Sequence, residues 1–118
     1  MRLNDQKFGP VTLTDINYAP AHSRESLAFT ATVQYGAYVG QVRNLGRGIT
    51  THFTNSALRA NLNAYAFKLP GIQVGGGRVV RQTADHVLES MVEEAIKEYA
   101  MATHPYSQRQ DAITLTGR

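Results

Sequence analysis

Four histidines, nine carboxylates and not one cysteine set the chemistry open to this 118-residue chain. Without thiols there is no disulfide, no thiolate zinc site and no cysteine nucleophile. His22, His52, His86 and His104 lie far apart, and neither His22 nor His52 has a set of donors at metal-ligand spacing. A tetrahedral site needs three or four converging donors, so neither a metal nor a cofactor is expected. Asp15 and Glu25 are the only carboxylates between residues 6 and 84, which leaves little for paired acid–base work. His22-Ser23-Arg24-Glu25 gathers a histidine, a serine and a glutamate in one turn. Neighbours in a turn do not approach a substrate from separate directions, as acyl transfer requires. No catalytic residue is expected, and the chain reads as a binding protein rather than an enzyme.

The richer feature is Gly40-Gln41-Val42-Arg43-Asn44-Leu45-Gly46-Arg47-Gly48, followed by Ile49-Thr50-Thr51-His52. Glycines there can take positive φ and turn backbone N–H groups toward an anion. Arg43 and Arg47 add forked donors suited to phosphate or carboxylate. The run lacks the lysine of a phosphate-binding G-x-x-x-x-G-K-[ST] loop, and G-x-G-x-x-G is absent as well. A strand exit that simply needs flexible residues explains the same glycines. The candidate binding residues are Arg43, Asn44, Gly46, Arg47, Gly48, His52 and Arg59. Tyr18, Tyr35, Tyr38 and Phe53 interleave with the basic residues and could stack on bases. Tyr35 shares a face with Leu27, Phe29 and Val33, where core packing is its expected role.

Charge is split along the chain. Residues 1–81 carry nine Lys/Arg against three Asp/Glu, a balance of +6, whereas residues 82–118 carry three against six. Seven of the nine front cations are arginine, which favours planar, bidentate contacts. The asymmetry suits nucleic acid, an acidic protein, or attraction between the two halves.

The elements that must position these groups follow from hydrophobic spacing. Val11, Leu13 and Ile16 mark a first strand. Leu27, Phe29, Ala31, Val33 and Tyr35 alternate cleanly in a second, and Gly36-Ala37 makes a tight turn into a third through Tyr38, Gly40 and Val42. Asn55 or Thr54 caps a helix carrying Leu58, Leu62 and Tyr65, which Pro70-Gly71 closes. Gly75-Gly76-Gly77 reads as a flexible link with short edge pieces beside it. Thr83 caps a second helix whose Val87, Leu88, Met91, Val92, Ala95, Ile96 and Tyr99 fill half the wheel. Glu93 and Lys97 stand four apart on its wet side, in the order that favours an ion pair. The expected architecture is α+β, a three-stranded antiparallel sheet with two helices packed on one face. Residues 1–106 form one domain and 107–118 a polar tail, flexible or docked on a partner.

Ser23-Arg24-Glu25-Ser26-Leu27-Ala28-Phe29-Thr30-Ala31-Thr32, followed after the hairpin by Asn44-Leu45-Gly46-Arg47-Gly48, resembles a pattern in small uncharacterised proteins of tailed bacteriophages and prophages. That pattern places serine and glutamate before a Phe-x-Ala strand and Asn-x-Gly-x-Gly after a turn. The resemblance spans residues 23–48; Ile49 stands where a second glycine is usual, and Gly36-Ala37 replaces an Asp-Gly turn. It implies an accessory protein that binds a host or phage protein and interferes with host machinery or defence. The alternatives are non-specific nucleic-acid or nucleotide binding through the Arg43–Gly48 loop, or a structural assembly role. With no spanning segment and no apolar run near the start, the expected location is the cytoplasm, that of the host if the protein is phage-derived. Sheet edges and the tail leave room for a homo-oligomer.

Overall fold

The computed structural model of the protein describes residues 1–48 and 51–103. Its centre is one antiparallel sheet. β1 (Arg2–Leu3) and β2 (Gln6–Phe8) both pair with β3 (Val11–Tyr18), which continues to β4 (Ala28–Tyr35), β5 (Tyr38–Leu45) and β6 (His52–Phe53). After α1 (Ser56–Phe67), β7 (Ile72–Gln73) and β8 (Val79–Val80) pair as a separate two-stranded ribbon, and α2 (Ala84–Thr103) follows. The α+β class therefore holds, but the sheet has six strands rather than three. The additional strands β1, β2 and β6 are two or three residues long. A period of two cannot be seen in so few residues; only pairing with β3 or β5 makes them strands.

Local chemistry sets the turns. Phe8 pairs with Val11 across Gly9-Pro10, and Gly9 has φ +55°. Tyr35 pairs with Tyr38 across Gly36-Ala37, where Gly36 alone has positive φ, as a turn with glycine first requires. Within β3 the register shifts between Thr14 and Asn17, with Asp15 at φ 51°. This bulge explains why Leu13 and Ile16, three apart, both point to the core.

One layer of side chains fills the interior. Leu3, Val11, Leu13, Ile16, Phe29, Ala31, Val33 and Val42 from the strands join Leu58, Leu62 and Ala66 of α1. Ala84, Val87, Leu88, Met91, Val92 and Ala95 of α2 complete the cluster, so both helices cover the same face. The Asn55 side chain caps α1, accepting from the Ala57 and Leu58 amides at 3.0 and 3.1 Å. Gly40 lets that end seat on β5: a Cβ there would lie 3.0 Å from both Asn55 Cβ and Leu58 Cδ2. The start of α2 is held from three sides. The Thr83 amide donates to His86 Nδ1 at 3.1 Å, the Ala84 amide to Asn63 Oδ1 at 2.7 Å, and the Thr51 amide to Asp85 Oδ1 at 2.7 Å. His86 thus fills the reciprocal position that glutamate usually takes in a capping box.

Two finer expectations change. Lys97 pairs with Glu94, three residues earlier, at 3.4 Å, rather than with Glu93. The triple glycine is a turn closing the β7–β8 ribbon, with Gly76 and Gly77 both at φ +77° and the Val74 amide bonded to the Arg78 carbonyl. The expected tail, residues 107–118, lies outside the described residues. Among those described, no helix is long and apolar enough to cross a membrane.

Candidate anion-binding face

Alternation that points one side of each strand into the core points the other side away from both helices. Register turns these outward residues into rows. Arg2 stands opposite Asn17, Asn17 opposite Thr30, Thr30 opposite Arg43, and Arg43 opposite His52. The row crosses five strands, roughly 19 Å at the usual strand spacing. Thr14, Thr32 and Gln41 make the next row, and Lys7, Thr12, Gln34 and Val39 the one beyond. Among the described residues no element packs on this face. It is a sheet surface mainly of hydroxyls, amides and basic side chains, with Val39 exposed on it and with Asp15 and Phe53 at the margin of its hollow.

A shallow hollow of about 570 Å³ lies on the face between Asn17, Thr32, Gln41, Arg43 and His52. A larger one, about 960 Å³, lies at the end of the sheet where β3 leaves, β4 begins and β5 ends. Asn17, Thr30 and Arg43 line both. The larger hollow adds His22, Arg24 and Arg47, with Glu25 its one carboxylate. Arg2 pairs with Asp15 at 2.5 Å on the exposed surface. Arg24, Arg43 and Arg47 make no ion pair among the described residues.

The glycine loop itself is pinned from within. The Ser26 hydroxyl lies 2.9 Å from Asn44 Oδ1 and also contacts the Gly48 carbonyl, with one proton to share between them. Asn44 Oδ1 accepts the Gly46 amide at 2.8 Å, and Ser26 Oγ accepts the Gly48 amide at 3.3 Å. The Gly46 carbonyl in turn accepts from the Arg24 and Glu25 amides. Gly46 is at φ +79°, and a Cβ there would sit 2.1 Å from the His22 carbonyl oxygen. Only glycine fits. The two loop amides expected to cradle an anion are thus already occupied, and an anion arriving here would meet arginine side chains instead.

The seven expected binding residues therefore separate. Arg43 and His52 stand side by side on the open face, and Arg47 lines the larger hollow. Asn44, Gly46 and Gly48 belong to the clasp, with Asn44 buried. Arg59 packs over the Phe53 ring at 5.7 Å and lines neither hollow. Residue-by-residue reading missed Asn17, Thr30, His22 and Arg24. Strand parity alone would have put Thr30 on the polar face; Arg24 arrives only because its turn folds back onto Gly46.

Glu89 on α2 is the described group whose pKa departs clearly from its ordinary value: burial raises it, Glu93 and Asp85 add to the rise, and His86 opposes it. It lines neither hollow. Among the described residues, no three His, Asp or Glu side chains converge as metal ligands would. No family model matches the chain, and neither a curated protein nor a solved structure is significantly similar to it.

Proposed function

We propose that the protein is a non-catalytic binding domain whose open sheet face engages the backbone of nucleic acid without reading its sequence. The observation that carries this is the row Arg2–Asn17–Thr30–Arg43–His52, in which Arg43 makes no ion pair among the described residues and is flanked by the hydrogen-bonding side chains of Thr30 and His52. Arginine, threonine and asparagine are the side chains that contact phosphate oxygens and fix a duplex or strand in place. Exposed Glu93 and Glu94 sit on α2, in the layer behind the sheet, and disfavour a polyanion there. The row offers side chains that contact phosphate rather than a rigid element that enters a groove to read base edges, which is why the binding is sequence-tolerant.

The second reading is the phage-type accessory role, in which the partner is a host or phage protein. Val39 and Leu45 favour it, being 52% and 50% exposed along β5, since exposed apolar side chains grouped on one element can mark a protein-contact patch. The residues of the phage-like pattern are largely those of the Ser26–Asn44–Gly48 clasp, so the resemblance speaks to how the loop is built.

Thr30→Glu separates these readings. Thr30 is exposed and faces Arg43 across the strands, so the new carboxylate is tolerated by the fold and neutralises the row. Binding of a labelled oligonucleotide should fall more than about tenfold, with the melting temperature unchanged, because Arg43 no longer has a free guanidinium to offer a phosphate. Equal binding by wild type and variant would reject the sheet face. Polyglutamate binding as tightly as the oligonucleotide would favour an acidic protein.

A further inference from the structure

The larger hollow is not required for sheet-face binding, and its construction differs from the rest of that face. Residues 19–27, which connect β3 to β4, fold back and are bonded to the glycine loop through the Gly46 carbonyl, closing the end of the sheet. Arg24 from this segment and Arg47 from the loop bring cations to its rim, with the His22 imidazole beside them. Tyr18 and Leu45 supply apolar surface, Leu45 being half-exposed. Asn17, Thr30 and Arg43 are common to the row and the hollow, so a backbone lying on the row leads directly into it.

We propose that this hollow holds an unpaired terminal nucleotide, giving the protein a preference for strand ends over continuous strand; the proposal rests on the sheet face binding nucleic acid. Three features point to this ligand. The volume of about 960 Å³ falls within the range of small-ligand pockets, so a whole nucleotide fits. Apolar surface beside guanidinium groups suits a base, which stacks on aromatic and arginine planes, with its phosphate on the remaining forked donors. The wall formed by residues 19–27 and the Glu25 carboxylate oppose a second phosphate continuing outward, which makes the nucleotide a terminal one. Duplex ends enter only when frayed, because a base pair cannot stack inside a site built for one base.

The test compares a linear single strand carrying a terminal phosphate with a covalently closed circle of the same sequence and length, at one salt concentration. The linear strand should bind about tenfold more tightly, the effect of one added charge-assisted contact. Arg24→Ala should abolish that difference while leaving affinity for the circle nearly unchanged. Arg24 is exposed, so the variant should fold, and its melting temperature is read alongside. A wild type that binds circle and linear strand equally overturns the terminal site and leaves the sheet face standing. Binding of neither at low salt overturns both. A linear preference that survives in Arg24→Ala assigns the end effect elsewhere and overturns the hollow.

Discussion

Gly46 and Gly36 both take positive φ, yet they should respond differently to a methyl group. At Gly36 nothing lies within 4 Å of a Cβ, so Gly36→Ala should cost about 1 kcal/mol, the backbone strain alone. At Gly46 the same strain is joined by collision with the His22 carbonyl, which is backbone and cannot swing away. Gly46→Ala should therefore cost at least about 3 kcal/mol in urea unfolding. Equal losses at the two sites would show that the 19–27 segment does not lie against the loop. Ser26→Ala acts on the same clasp by leaving the Gly48 amide without its partner, and a loss of about 1–3 kcal/mol is expected. Glu89 gives a pH signature. Its folded pKa lies above the unfolded value, so this group adds stability as pH falls through the folded pKa, and the gain is complete below the unfolded value. At neutral pH this partly buried charge, with Glu93 and Asp85 near it, is a burden. Glu89→Gln should be more stable than wild type at pH 7, and the two urea midpoints should converge in acid, below about pH 4.3. A constant difference across pH would exclude Glu89 as its source.

At the scale of elements, α2 was legible because its pattern is long. Seven apolar residues at helical spacing identified the side that packs on the sheet, and Val87, Leu88, Met91, Val92 and Ala95 are indeed buried. Val92 is fully buried, so Val92→Asp should place an unpaired carboxylate in the core and cost about 4 kcal/mol or more. An unchanged melting curve would mean that α2 does not cover the sheet. The β4–β5 hairpin was equally readable, from alternation and one glycine. The short strands were not, because β1, β2 and β6 owe their existence to neighbours rather than to a pattern of their own. The site was legible only in part, for a related reason. Arg43 announced itself by its type, but Thr30 and Asn17 are ordinary strand residues until register aligns them. The glycines that suggested an anion cradle serve a backbone need instead, since Ser26 lies 22 residues from Gly48 and no local reading links the two.

In the whole molecule, the charge split along the chain becomes a spatial one only in part, since Arg59 lies on α1 in the helix layer and Asp15 and Glu25 line the hollows. Arg43 and Arg47 stand on or beside the open face, while exposed Glu93 and Glu94 stand on the helix behind it. A protein built this way should orient toward a polyanion before touching it and should feel salt strongly. The decisive measurement is the salt dependence of binding to a single strand, for wild type, for Arg43→Ala combined with Arg47→Ala, and for Arg59→Ala. Arg59 packs on Phe53 away from both hollows and serves as the control. Plotted logarithmically, the slope should become shallower by about 1.4 in the double variant, because two phosphates of the single strand no longer meet an arginine. In the control it should stay at the wild-type value. Equal slopes in wild type and double variant, or no binding at low salt, would contradict the assignment of this face to nucleic acid.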